Sequence, residues 1–134
     1  LLGARTQEEV AGLLAAANCY VQPSIITSSG KMEGIPVGIM EAMISGLPVV
    51  ATQISGVPEL VQNNQTGLLV PPEDAAALAN AIERLYREPQ RAQQLAQSGK
   101  ELILQQYDLH KNVQMLSLWI ENSIREQAKV VPGW

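Results

Sequence analysis

Cysteine is nearly absent from this sequence. Cys19 stands alone, which forbids an internal disulfide and any cysteine-cluster metal site, and makes a cytoplasmic origin the default. Aspartate is almost as scarce. Only Asp74 and Asp108 occur, so no Asp-x-Asp pair can hold Mg²⁺ or Mn²⁺, and glutamates alone make a poor cage for either ion. Histidine is represented once, by His110, which reads as an exposed or capping residue rather than a catalytic base. Positive charge is also short: 9 Lys and Arg face 13 Asp and Glu, for a net charge of −4. That balance disfavours nucleic acid and anionic membrane as partners. No apolar run approaches the roughly 20 residues of a membrane span, and no charged segment leads into an apolar one as in a secretory signal. The chain opens without methionine and reads as if cut from a longer protein.

What is present describes a folded domain. With 46% hydrophobic residues, 10 Gly and 8 Pro in 134 residues, disorder and collagen-like structure are excluded, and the length suits one domain. Thr6 and Glu9 have capping-box spacing, and Val10, Leu13, Leu14 and Ala17 continue at helical period. A short β-prone run from Cys19 to Gln22 stops at Pro23, and a polar loop follows from Ser24 to Glu33. Pro36 opens a helix whose stripe is Ile35, Ile39, Ala42 and Met43, and Gly46 ends it. Pro48 to Ala51 and Gly67 to Val70 read as strands, with one helical turn between them at Gly56 to Val61. Helices then run to the end. Asp74 caps the first, with Leu78, Ile82, Leu85 and Tyr86 in a stripe. Pro89 opens the second, with Leu95, Leu102 and Ile103 inward. Asp108 caps the third, where Val113, Leu116, Ile120 and Ile124 share a face and Trp119 is expected to pack. Strands alternating with helices predict an α/β fold, a partial Rossmann-like domain of about three or four parallel strands with flanking helices and a helical C-terminus.

Ligands of such sheets bind beyond the carboxyl ends of the strands. Three segments lie there: Pro23 to Pro36, Thr52 to Pro58, and Pro71 to Asp74. The first delivers a glycine-bearing loop into a helix N-terminus, where free N–H groups and the dipole favour an anion. Gly34, Ile35, Val37 and Gly38 are its candidate backbone donors, because Pro36 has none. Glu33 precedes the turn. Glu41 leans back toward it, since helix side chains tilt toward the N-terminus, and Gly38 leaves space above it. A carboxylate there suits a vicinal diol such as a ribose. Spacing alone also allows, and by itself favours, a capping acid at Glu33 and a solvated surface acid at Glu41.

The stretch EGIPVGIMEAMISGLPVVATQISGVPELVQNNQTGLLVPPED resembles the donor-binding half of a family 4 (group 1) retaining glycosyltransferase of the GT-B fold, in wording similar to bacterial exopolysaccharide enzymes. The shared blocks are Glu33 and Glu41 with seven residues between them, then EAMISGLPVVA, GVPELV and GLLVPPED. The likeness covers about residues 3 to 107 and departs at Ile44 and Ser45, where alanine is commoner. It implies that Glu41 binds the nucleotide ribose and that Glu33 acts in catalysis, touching hydroxyls of the transferred sugar. It further implies that backbone groups of Gly34, Ile35, Val37 and Gly38 contact sugar and phosphates, and that Pro23 and Ser24 lie at the nucleotide. The donor would be a nucleotide-diphosphate sugar, with no cofactor and no metal. The basic pair that holds pyrophosphate in the family, and its N-terminal acceptor domain, are missing from this chain; Lys31 is the only basic residue near Glu33. The resemblance therefore implies residues 1–134 as a single, incomplete C-terminal domain, inactive alone, from a cytoplasmic parent that can sit peripherally at the inner membrane face. No nucleic acid or membrane contact is expected of the fragment, and an exposed sheet edge invites self-association. A free-standing, non-catalytic sugar-nucleotide-binding or interaction module is the alternative.

Overall fold

The structure, a computed structural model, describes residues 2–26 and 34–130, with side chains through residue 126. It divides into two units, Leu1–Leu104 and Gln105–Trp134.

In the first unit, α1 spans Gln7–Ala16. Its capping box is complete: the Glu9 N–H donates to Thr6 Oγ1 at 3.3 Å, and the Thr6 N–H donates to Glu9 Oε2 at 2.8 Å. Strand β1, Tyr20–Gln22, leads to α2, Val37–Ile44. Pro36 stands one residue outside that helix, at its cap, rather than in its first turn. The far end closes as the glycine predicts. Gly46 adopts φ 79°, its N–H meets the Met43 carbonyl at 3.0 Å, and the Leu47 N–H meets Ala42 at 3.0 Å. This left-handed glycine motif turns the chain directly into the sheet.

Strand β2 is Val49–Thr52, α3 is Val57–Leu60 and β3 is Leu68–Val70. β2 starts one residue later than the sequence suggests, because Pro48 has no N–H to give; its carbonyl accepts from Tyr20 at 3.0 Å. The sheet order is β1-β2-β3, all parallel, with Tyr20 beside Val49 and Val50 beside Leu68. Every residue of β2 is buried, as a central parallel strand with both faces covered requires. Val50, Leu68 and Val70 form a core with Leu85 and Leu95. Val49 and Ala51 alternate to the other face, and Ile39, Ala42 and Met43 of α2 are fully buried. The turn before β3 is tightly held. A Cβ at Gly67 would lie 2.8 Å from the Val49 carbonyl oxygen, so only glycine fits. Asn64 is gripped by Arg84, which donates to its Oδ1 at 2.9 Å, and by Arg91, which donates to its carbonyl.

α4 is Ala75–Arg87 and α5 is Pro89–Gln106. The Asp74 carboxylate caps α4 by accepting from the Ala77 N–H at 2.8 Å. The buried face of α4 is rotated from the predicted stripe. Ala77, Leu78, Ala81 and Leu85 face the core, whereas Tyr86 is 86% exposed, lying about 100° round the helix from Leu85. Cys19 is half-buried against the same core, and burial pushes its thiol pKa up.

In the second unit, α6 spans Leu109–Val130. Asp108 caps it, accepting from the Lys111 N–H at 3.0 Å, and that backbone bond holds its carboxyl below the usual aspartate range. Val113, Leu116, Ile120 and Ile124 are exposed, and Trp119, expected to pack, is 66% exposed. A single helix cannot bury its own stripe, and among the described residues this unit contains no second element.

Candidate functional site

The carboxyl ends of the three strands converge as the strand-end rule requires. Pro23 and Ile25 beyond β1, Thr52 ending β2, and Glu73, Asp74 and Ala75 beyond β3 line a cavity of about 200 Å³ closed by Leu78. All three segments singled out from the sequence meet here or beside it. Two residues at these ends adopt left-handed backbone without being glycine, Ser55 at φ 47° and Glu73 at φ 61°. Such conformations cluster at functional sites, and nothing in the sequence signals them. A larger cavity of about 750 Å³ lies at the opposite, amino ends of the strands, beside Cys19, Pro48 and Tyr86. Its position is wrong for a ligand of a parallel sheet.

Side chains of β1 organise the site from below. Strand alternation sends Tyr20 and Gln22 to one face. The Tyr20 hydroxyl donates to Gln22 Oε1 at 2.8 Å, and Gln22 Nε2 donates to Ser24 Oγ at 2.9 Å. From β2, Thr52 Oγ1 donates to the Ser24 carbonyl at 2.6 Å. Thr52 is buried and its hydroxyl thus ties the two strand ends together. Ser24, a predicted nucleotide contact, is half-buried within this network, while Pro23 is exposed.

At the start of α2 the N–H groups of Val37 and Gly38 occupy the first two helical positions, which have no carbonyl partner within a helix. The Ile39 N–H is already used, donating to the Pro36 carbonyl at 3.1 Å. Gly34 and Ile35 are exposed just before them, so the four predicted backbone donors share one open turn. The space read over Gly38 is not open. The Tyr20 hydroxyl fills it, and a Cβ there would collide with that oxygen. Glu41 is half-buried one turn further on, and among the described residues none hydrogen-bonds its carboxylate. Glu33 and Lys31 lie outside the described residues. The cavity is lined by Glu73 and Asp74 and by no Lys or Arg among the described residues, which suits hydroxyl groups better than phosphate. Among the described residues no cluster could hold a metal ion, and no helix is long and apolar enough to cross a membrane. The sequence alone missed Tyr20 and Gln22, whose alternating spacing toward Ser24 was the available signal, and named Thr52 only as the start of a strand-end segment.

Residues 1–88 match the family described as Glycosyl transferases group 1. Over 85 residues the chain is 48% identical to the amylovoran biosynthesis glycosyltransferase AmsK of Erwinia amylovora, covering 63% of this chain and 21% of AmsK. Among solved structures, sucrose-phosphate synthase from Thermosynechococcus elongatus is 34% identical with a TM-score of 0.78, over 92% of this chain and 30% of that one. Anabaena Alr3699/HepE in complex with UDP-glucose is 27% identical with a TM-score of 0.77, over 90% and 31%. Both structures are GT-B glycosyltransferases, and the three parallel strands with flanking helices agree with the fold class expected from sequence. The chain spans about a fifth of the length of the curated relative, 21%.

Proposed function

Because the chain belongs to the glycosyl transferases group 1 family, we propose that it is the donor-binding portion of an enzyme that moves a hexose from a nucleotide-diphosphate sugar to a saccharide or lipid-linked acceptor with retention. The observation that carries this reading is the half-buried carboxylate of Glu41, without a protein hydrogen bond among the described residues, one turn beyond the open N-terminus of α2. A carboxylate so placed can accept from both hydroxyls of a ribose. The Val37 and Gly38 N–H groups and the helix dipole stabilise the diphosphate as it leaves, metal-independently and together with basic residues from the rest of the parent. Glu33 contacts the transferred sugar, and Pro23 and Ser24 border the nucleotide. In this proposal the chain is an incomplete C-terminal domain, and a second domain supplies the acceptor. A free-standing binding module is the weaker reading, since the matching relatives are named as enzymes of several times this length.

Titration of the full-length parent with UDP and with GDP tests the reading. Saturable binding of one of them is expected, and product formed from the matching sugar nucleotide keeps the donor's anomeric configuration by proton NMR. Binding of neither nucleotide removes the donor assignment, and inversion removes retention.

The open side of β1 belongs to the same proposal. Tyr20 directs its N–H toward Pro48, on the β2 side, so the alternating pattern turns the Val21 backbone outward. Among the described residues no strand pairs with that side. An unpaired edge is a template for another strand. The isolated chain is expected to self-associate with rising concentration in sedimentation velocity, and a strictly monomeric profile at high concentration would count against an open edge.

A further inference from the structure

We propose that Tyr20 is a positioning residue of the donor site, and that its hydroxyl is the reason residue 38 is glycine. Glycine is disfavoured against alanine within a helix, so its place in the first turn of α2 needs a cause. The cause is steric. A Cβ at Gly38 would strike the Tyr20 hydroxyl oxygen, while the ring carbon Cζ behind it lies at 3.4 Å, ordinary contact. The same hydroxyl donates to Gln22, which donates to Ser24, whose carbonyl is held by Thr52. One oxygen therefore registers two parts of the site at once: the turn of α2 bearing the Val37 and Gly38 N–H groups, and the end of β1 bearing Ser24. Neither role is served by the ring alone, so phenylalanine would preserve the packing and lose the registration. This inference rests on the donor-binding reading above, and it adds a residue that would not itself touch the donor.

The pairing can be tested in the full-length parent with Tyr20→Phe, Gly38→Ala and the double variant, using UDP and GDP titrations beside thermal melts. Tyr20→Phe should melt close to the wild type yet bind the recognised nucleotide about 2- to 10-fold more weakly, the range of one net hydrogen bond. Gly38→Ala should melt lower and bind more weakly still, because a methyl group is forced against the hydroxyl. In the double variant the hydroxyl is gone, and both melting and binding should recover relative to Gly38→Ala alone. Equal damage from Gly38→Ala in the wild-type and the Tyr20→Phe backgrounds would overturn the steric pairing. Unchanged affinity in Tyr20→Phe would overturn the positioning role and leave a packing role only. If the wild-type parent binds neither nucleotide, the donor reading itself has failed, an outcome visible before any variant is measured, and the positioning role falls with it.

Discussion

Residues 1–134 expressed alone, given sugar nucleotides and saccharide acceptors, are expected to show no measurable transfer. The chain spans 21% of the length of AmsK, and the proposed reaction needs an acceptor held against the donor. Holding two reactants in attack geometry can be worth about 7–11 kcal/mol of barrier, which is roughly five to eight orders of magnitude in rate. The cavity at the strand ends is small, about 200 Å³, and its charged lining is acidic. Among the described residues no Lys or Arg lines it to meet a diphosphate. The measurement is product formation, compared with the full-length parent at equal concentration. Turnover near that of the parent would show that this portion contains a whole active site.

Glu41→Ala in the parent is expected to weaken both the nucleoside diphosphate and its sugar conjugate. Losing a hydrogen bond to a charged group costs about 1.5–3 kcal/mol, roughly 10- to 150-fold in affinity. Stability should change little by comparison, because among the described residues nothing hydrogen-bonds that carboxylate and its removal leaves no protein donor unpaired. That separation distinguishes a ligand-binding acid from a structural one. Glu33→Ala should instead spare the bare diphosphate and weaken the sugar conjugate. Calorimetric titration of each variant with both ligands reads the contrast. Unchanged affinities in Glu41→Ala would return Glu41 to an ordinary surface acid, and equal losses in Glu33→Ala would remove its assignment to the sugar.

Local chemistry was the legible part of the sequence. Thr6 with Glu9, Gly46, Asp74 and Asp108 each satisfy backbone groups within a few residues of themselves, so their spacing alone names their role, and each does so in the structure. The face of α4 was harder to read. Large apolar residues drew the stripe toward Ile82 and Tyr86, while the helix lies against the sheet with Ala77 and Ala81, whose small side chains allow close approach but weigh little in a hydrophobic pattern. On α6 the periodicity was correct for a helix and silent on whether a partner surface exists. At the site, spacing places Glu41 one turn into α2 but by itself favours a surface acid there; its ribose role comes from the family resemblance. The Tyr20 to Ser24 network does not follow from spacing, because it depends on β1 lying beside the start of α2. The missing side chain of Gly38 reads in sequence as space above Glu41, whereas in the structure it makes room for the Tyr20 hydroxyl.

The order β1-β2-β3 has a consequence for how the protein is made. Each strand pairs with the one synthesised just before it, Tyr20 with Val49 and then Val50 with Leu68. At roughly 5–20 residues per second, β2 leaves the ribosome within a few seconds of β1, and β3 sooner after β2. A parallel pair needs a crossover of about a dozen or more residues, and each crossover here is complete by the time the next strand emerges. The sheet can therefore be assembled strand by strand in the order of translation, with the carboxyl-end site completed only when Asp74 and the start of α4 have emerged.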